Sequence, residues 1–148
     1  MATTNYYINN VIGDDTLNDG LSEENPFKSI GKFLDTHGVD AIGWLKNTGT
    51  NYTEEHGLSS AIGEVKTPGT TDGDVALIGY NLTIGDGTFA CVTLDAGEEA
   101  LTNCITFNAS VGDWPYWHLK NIRCTGASSH GVDRVAGYSC HKDRKSVV

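Results

Sequence analysis

The feature that most constrains the fold is a series of short apolar runs in the second half of the chain. From Val75 onward the runs VALIGY, LTI, FACVTLD, CITFN and WHLKNIRC are separated by turns rich in Gly, Asn, Asp and Ser. The strand-like part of each run is only about three to six residues long, which is short for a β-sandwich. With 18 Gly in 148 residues, the chain also has ample turn-forming material. We therefore predict an all-β protein built from short strands.

The spacing of these runs suggests that they stack. Val92–Leu94 is followed at some distance by His118–Lys120, and Ile105–Phe107 is followed at a shorter distance by Ile122–Cys124. These uneven intervals fall near the length of one turn of a β-solenoid, in which each turn packs on the next. The sequence predicts a solenoid whose rungs occupy residues 73–142.

The N-terminal part contains a different pattern. A strand over Tyr6–Ile12 and a polar loop precede a single helix, predicted over about residues 26–37. Asn25 is a good N-cap, Pro26 suits the first helical position, and Gly38 follows the last turn. An open solenoid end exposes unpaired backbone and apolar core, so we expect the helix to cover that end. Its apolar face consists of Phe27, Ile30, Phe33 and Leu34.

The segment after the helix completes the predicted cap. Val39–Leu45 is expected to form a strand, and residues 58–65 form either a strand or an irregular excursion. The loop Lys66–Asp74 is the best internal boundary. The predicted organisation is a cap over residues 1–72, rungs over residues 73–142 and a non-native tail over residues 143–148.

Charge and hydropathy exclude several classes of function. The net charge is −9 and the pI about 4.8, and such a surface repels nucleic-acid backbones. No apolar run approaches the roughly 20 residues that span a bilayer, so no membrane partner is expected. The N-terminus lacks the basic and apolar regions of a secretory signal.

The four cysteines do not form a metal motif. Cys91, Cys104, Cys124 and Cys140 are widely and unevenly spaced, which matches no zinc pattern. Three of them lie in or beside apolar runs. We expect buried free thiols, with a disulfide as the alternative.

A family resemblance rests on four stretches: Tyr6–Ile8, the loop Gly13–Ser22, Asn25–Ile30 and Trp44–Glu54. Together they resemble the N-terminal cap, first strand and turn of right-handed parallel β-helix proteins. That superfamily includes pectate-lyase-like polysaccharide lyases, some glycoside hydrolases and bacteriophage tailspikes. The resemblance implies a right-handed parallel β-helix with an N-terminal amphipathic capping helix.

The resemblance also implies a set of functions. The first is a glycan-engaging protein of phage tail or tailspike type, located on the virion or outside the cell, whose partner is a polysaccharide or cell-surface glycan. Its full-length parent would be a homotrimer. The lack of a visible signal favours this interpretation, because virion proteins leave the cell by lysis. The alternatives are the N-terminal part of a secreted polysaccharide lyase or glycoside hydrolase, and a purely structural solenoid.

The best candidate for carbohydrate binding is the aromatic turn DWPYWH. Exposed indole and phenol rings stack on the C–H faces of sugars, and a carboxylate or imidazole can bond hydroxyl groups. The alternative is that one or two rings fold into the core. The candidate residues are Asp113, Trp114, Tyr116, Trp117 and His118, with Trp114 and Tyr116 the expected exposed pair.

A candidate metal site is the loop GDDTLNDG. Its oxygen-bearing side chains, Asp14, Asp15, Asn18 and Asp19, are of the type that calcium prefers, and some β-helix lyases use calcium. The spacing does not match an EF-hand. The alternative is that these side chains form turns and prepare the helix start by bonding the backbone.

No catalytic motif of the superfamily can be matched residue by residue to this sequence. Lyase chemistry needs a base, for which Lys120 and Arg123 are candidates. Hydrolase chemistry needs two carboxylates at a fixed separation, and Asp95, Glu98 and Glu99 are available. We expect the catalytic rungs of such a parent to lie further along the chain.

The last residues break the pattern. Lys142, Arg144 and Lys145 arrive close together and without strand periodicity. Asp143–Val148 also matches one reading frame of a widely used sequencing adapter. We therefore expect a C-terminally truncated metagenomic fragment, inactive alone, with a non-native tail.

Overall fold

The structure is a computed structural model that describes residues 3–38, 40–53, 61–65, 75–89, 91–97, 103–107, 117–126 and 130–134. Strands dominate these ranges. The single helix among them is α1, Ile30–Thr36. The strands there are β1 Thr4–Ile8, β2 Ala41–Lys46, β3 Ala61–Val65, β4 Val75–Tyr80, β5 Val92–Asp95, β6 Asn103–Phe107, β7 Trp117–Lys120, β8 Ile122–Thr125 and β9 His130–Arg134.

The described strands form three sheets, and every pairing within them is parallel. The first sheet has the order β1-β2-β4-β7, the second β5-β8 and the third β3-β6-β9. From β4 onward the described strands repeat one order of sheets: β4, β5 and β6 lie in the first, second and third sheets, and β7, β8 and β9 do so again. The prediction of a strand-rich protein is confirmed.

Alternation along the strands separates core from surface. In β2, buried Ala41, Gly43 and Leu45 alternate with half-buried neighbours, as expected when one face of a sheet covers a core. Leu45 lies opposite Ile8 of β1, and both are fully buried. Side chains of all three sheets and of α1 join one apolar cluster, which includes Leu77, Leu94, Ile105 and Ile122.

The outer edge of β1 is covered by the loop that follows it. The Tyr7 amide donates to the Gly20 carbonyl (2.8 Å), and the Phe27 amide donates to the Tyr7 carbonyl (2.9 Å). The Asn9 amide in turn donates to the Phe27 carbonyl (2.8 Å). Gly20 has a φ of 72° and lies beneath the Phe27 ring, where a Cβ would come within 2.8 Å of ring carbons. The backbone donor and acceptor of Tyr7, on the outer edge of β1, are therefore both occupied.

The start and end of the helix differ from the prediction. The helix begins at Ile30 with Ser29 as N-cap, whose side chain accepts a hydrogen bond from the Lys32 amide. The prediction of Asn25 as N-cap and Pro26 as first helical residue is wrong, because the segment through Phe27 stays extended to pair with β1.

At the other end of α1, the helix stops at Thr36 and His37 is extended. Gly38 does not adopt the left-handed conformation of a capping glycine. Of the predicted apolar face, Ile30, Phe33 and Leu34 lie on α1 and are confirmed as buried, each at most 1% exposed. Phe27 is also 1% exposed, but its assignment to the helix is wrong, because it lies before α1 and pairs with β1.

Two strand boundaries also differ. β1 ends at Ile8 and does not reach Ile12, because the Asn9 side chain accepts the Ile12 amide (3.2 Å) and closes a turn. β2 begins after Asp40, whose φ of 63° breaks the extended backbone. The ambiguous segment at residues 58–65 contains a strand, β3.

The run LTI is not a strand. The Asp86 carboxylate accepts hydrogen bonds from the amides of Asn81, Leu82 and Thr83, at 2.7, 2.8 and 3.0 Å. These bonds fold the segment into a turn after β4.

The run WHLKNIRC is a corner between two sheets. Asn121 has a φ of 60° and separates β7 in the first sheet from β8 in the second. The predicted stacking partners change accordingly: Val92 lies opposite Ile122, and Ile105 lies opposite Val132. The two intervals on which the predicted stacking was based therefore do not connect stacked strands. The tail at residues 143–148 lies outside the described residues.

Candidate functional site

The outward side of the first sheet carries two aromatic residues at paired positions of neighbouring strands. Tyr7 of β1 lies directly opposite Trp44 of β2, and both side chains are half-buried. Their neighbours along each strand, such as Ile8 and Leu45, point into the core, so the two rings point away from it. We call Tyr7, Trp44 and the residues that support them (Asn5, Lys46 and Tyr80) the aromatic face.

Polar contacts and ring packing hold Trp44 in place. Its Nε1–H donates to Asn5 Oδ1 (2.9 Å) on the neighbouring strand. The Tyr80 ring meets the Trp44 ring edge to face, with the centroids 6.4 Å apart. Such perpendicular contacts are favourable for aromatic rings. Trp44 is therefore a positioned ring, not a loose surface side chain.

Tyr80 is the buried member of the aromatic face. Its side chain is only 2% exposed, and Lys46 Nζ lies 4.8 Å from its ring centroid. Lys46 Nζ also donates to the Leu82 carbonyl (2.9 Å). Burial, followed by the negative charge of Glu23, raises the pKa of Tyr80 to about 12, so its hydroxyl is neutral at physiological pH.

The same side of the first sheet continues to β7. The row that begins at Tyr7 and Trp44 runs through Ile78 to Lys120, one residue on each strand. His118 lies two residues before Lys120, and both side chains are exposed. Because neighbouring strands are about 4.8 Å apart, the row extends over roughly 15 Å.

The predicted aromatic turn is only partly described. His118 lies on β7 as an exposed residue, and Trp117 is the first residue of that strand. Asp113, Trp114 and Tyr116 lie outside the described residues, so the predicted carbohydrate platform stays a prediction. The structure does place His118 on the same sheet as the aromatic face.

The acidic loop is bonded to its own backbone. Asp14 Oδ1 accepts from the amides of Thr16 and Leu17 and from the Thr16 hydroxyl. These bonds lower the pKa of Asp14, the hydroxyl contributing most. Asp19 Oδ1 accepts from the Leu21 amide (3.0 Å).

The other two candidates of that loop bond the segment before the helix. Asp15 accepts from the amides of Lys28 (2.8 Å) and Ser29 (3.0 Å) and from the Ser29 hydroxyl (2.6 Å). Asn18 Nδ2 donates to the Pro26 carbonyl (2.8 Å). The described residues contain no group of three or more His, Cys, Asp or Glu suited to a metal ion. The loop geometry favours the turn-forming alternative over the predicted calcium site.

The catalytic candidates do not converge. Lys120 lies on the first sheet and Arg123 on the second, on opposite sides of the Asn121 corner. Asp95 accepts from Asn51 Nδ2 (3.1 Å) and from the Gly97 amide (3.0 Å). Glu98 and Glu99 lie outside the described residues, so no carboxylate separation supports hydrolase chemistry.

A small cavity lies between the loop after β1, the start of α1 and the turn after β2. Its volume is about 100 Å³. Asn10 lines it, and its Nδ2 donates to the carbonyls of Thr50 (3.1 Å) and Asn51 (2.9 Å). The polar side chain of Asn10 thus joins the turn after β1 to the turn after β2.

Tyr7 and Trp44 were not among the residues predicted to bind a ligand. Both lie in runs that the sequence assigns to strands, and strict alternation within VDAIGWL places Trp44 opposite to the buried Leu45. The sequence signal that could have identified them is an aromatic residue on the outward side of a predicted strand.

Comparisons with protein-family models, curated proteins and solved structures gave no match for this chain. In the described ranges, no helix has both the length and the apolar character needed to cross a membrane.

Proposed function

We propose that the three parallel sheets wind into one parallel β-helix, right-handed as the sequence resemblance implies. The order in which the chain visits the sheets supports this winding, because it repeats through β4–β6 and β7–β9. The helix α1 contacts β3, the outermost described strand of the third sheet. It thus occupies the place that a third-sheet strand would take in the first turn, which is where a cap belongs.

We further propose that the protein engages glycans, as a tail or tailspike-type protein of a phage. The observation that carries this proposal is the aromatic face, where Tyr7 and Trp44 occupy paired positions on neighbouring strands and point outward. Planar rings stack on the C–H faces of sugars, and nearby donors and acceptors bond the hydroxyl groups. A ring held by its neighbours, as Trp44 is, loses little freedom on binding, which favours affinity.

The ligand proposed for this face is a polysaccharide or cell-surface glycan. Successive sugars in an extended chain repeat at about the same distance as the strands, whose separation is about 4.8 Å. A chain lying across the strands would therefore pass from Tyr7 and Trp44 toward exposed Lys120 and His118. This arrangement fits a binding groove along the sheet.

A polysaccharide lyase is the second candidate. The observation that favours it is Lys120, an exposed amine in the same row as Trp44. An amine at that place can remove a proton beside a sugar carboxylate. Incubation with acidic polysaccharides distinguishes the two, since a lyase releases unsaturated products that absorb in the ultraviolet.

The test of glycan engagement is retention of the protein on a panel of immobilised neutral and acidic polysaccharides. We expect retention by at least one polysaccharide and about a tenfold loss of affinity in Trp44→Ala, which corresponds to roughly 1.4 kcal/mol. Phe89→Ala is the matched control, because Phe89 is an exposed ring (75%) outside the aromatic face. Trp114→Ala compares the predicted aromatic turn with the aromatic face.

Circular dichroism confirms that each variant is folded. Equal affinity of Trp44→Ala and Phe89→Ala contradicts the role of the aromatic face. Loss of affinity in Trp114→Ala alone moves the site to the turn. No retention by any polysaccharide contradicts the proposed function.

A further inference from the structure

Two cysteine thiols meet where the second and third sheets face each other. Cys104 lies in β6 of the third sheet and Cys124 in β8 of the second. Cys104 Sγ is 3.5 Å from the carbonyl oxygens of both Leu94 and Thr125. Leu94 pairs with Cys124, and Thr125 is its chain neighbour, so both contacts bring the Cys104 sulfur to Cys124.

The environment of the two sulfurs differs. Cys104 is fully buried, whereas Cys124 is half-buried and packs against the core cluster. Interaction with Cys124 lowers the pKa of Cys104, and interaction with Cys104, followed by burial, raises the pKa of Cys124, so the pair holds its first negative charge on Cys104. A thiolate is the form of cysteine that forms disulfides.

We propose that Cys104 and Cys124 form a disulfide under oxidising conditions, and that this bond joins the third sheet to the second. The oxidant is a low-molecular-weight disulfide. The pair first loses one proton to solvent, which leaves the negative charge on Cys104. The remaining proton then passes from Cys124 to Cys104, and the sulfur of Cys124, the less buried of the two residues, attacks the reagent, which forms a mixed disulfide and releases one thiolate.

The second step closes the bond within the protein. Cys104 loses its proton to solvent, and its sulfur attacks the Cys124 sulfur, which expels the second reagent thiolate. The two protein thiols are oxidised and the reagent disulfide is reduced to two thiols, which take up the two protons. The bond encloses the chain from Cys104 to Cys124, a loop of about twenty residues, and restricts the unfolded chain.

The other cysteines are the natural controls. Cys91 Sγ contacts the Asn121 carbonyl (3.6 Å) at a different corner. Cys140 lies outside the described residues. The double variant Cys91→Ser/Cys140→Ser leaves only the proposed pair, and Cys124→Ser removes one partner.

The experiment treats the full 148-residue chain with oxidised glutathione at about pH 8, near the ordinary thiol pKa, and then alkylates the remaining thiols in denaturant. Peptide mass spectrometry should identify a Cys104–Cys124 cross-link in the wild type and in the double variant. The melting temperature should rise by roughly 5–10 °C on oxidation. Reducing agent should reverse the rise, and Cys124→Ser should show neither the cross-link nor the rise.

Several results overturn the proposal. They are alkylation of both Cys104 and Cys124 after oxidation, a cross-link that includes Cys91 or Cys140 instead, and a stable glutathione adduct on Cys124 that does not close. A cross-link that lowers the melting temperature also overturns it, because the two sheets would then have to move to form the bond. Peptide mapping of the wild type decides the matter even where a variant fails to fold.

Discussion

The contact between α1 and β2 can be tested at one pair of residues, Phe33 and Gly43. Phe33 is fully buried, and its ring packs on Tyr6 with the centroids 5.6 Å apart. A Cβ built on Gly43 would lie 2.8 Å from a Phe33 ring carbon and 2.9 Å from Leu77 Cδ1. Gly43 is therefore required for the close approach of the helix, and the two residues should be energetically coupled.

The expected magnitudes follow from these contacts. Gly43→Ala forces a methyl group against the ring and should cost about 1–3 kcal/mol of unfolding free energy. Phe33→Ala leaves a cavity and should cost about 3–5 kcal/mol. In the double variant the new methyl group enters that cavity, so the double variant should be more stable than the sum predicts by at least about 1 kcal/mol.

Urea unfolding followed by circular dichroism measures all four proteins of this cycle. Gly38→Ala is the matched control, because its Cβ would meet no atom within 4 Å and its φ is not positive. Gly38→Ala should change stability by less than about 0.5 kcal/mol and add to Phe33→Ala without coupling. If Gly43→Ala and Phe33→Ala are also additive within about 0.5 kcal/mol, the helix does not pack on β2 through this ring.

Three further predictions concern polar side chains. Asp15→Ala removes three hydrogen bonds before the helix and should cost about 2–3 kcal/mol in urea unfolding, whereas Asp19→Ala, which removes one exposed bond, should cost about 0.5 kcal/mol or less; equal losses would contradict this. Tyr52→Phe should cost about 1–2 kcal/mol by the same assay, because the buried hydroxyl bonds two backbone carbonyls; an unchanged midpoint would contradict this. Burial lowers the pKa of His37, so the unfolded chain, with a histidine pKa of about 6.5, takes up the proton first as pH falls. Stability should therefore decline below about pH 6.5, and the decline should be smaller in His37→Leu; identical slopes for the two proteins would refute the role of His37.

The sequence predicted the parts of the fold that depend on local patterns. Apolar runs located β2 and β4, and helical spacing identified the buried face of α1. It did not predict where the helix begins. Asn25 and Pro26 are good helix-start residues, but Phe27 bonds the edge of β1 instead, and a long-range contact of this kind leaves no local mark.

The corner at Asn121 could have been predicted from the sequence. Leu119 and Ile122 both contribute to the core, and the odd interval between them breaks the period of two that a single strand requires. Asn is also a residue that tolerates positive φ. The stacking register was beyond reach, because loops of different length separate the paired strands and no constant interval marks the turns.

The predicted carbohydrate site stays a prediction, because its main residues lie outside the described part of the chain. The expectation of outward aromatic rings on a strand-rich scaffold led to Trp114 and Tyr116, which form the most concentrated aromatic cluster in the sequence. The aromatic face, which the sequence did not predict, joins Tyr7 and Trp44, two residues that are far apart in the chain and become neighbours only through the pairing of β1 and β2. A site assembled across strands needs the register before it can be recognised.

The loop that covers the outer edge of β1 blocks this end of the first sheet against pairing with a further strand. The Tyr7 amide and carbonyl are both bonded to the loop, at Gly20 and Phe27. A strand from another molecule therefore finds no free donor or acceptor at Tyr7, and β1 is a poor template for the strand-by-strand growth that leads to fibrils. Variants that open this loop, such as Gly20→Val, would expose the template, and seeded aggregation should then begin at the N-terminal strand.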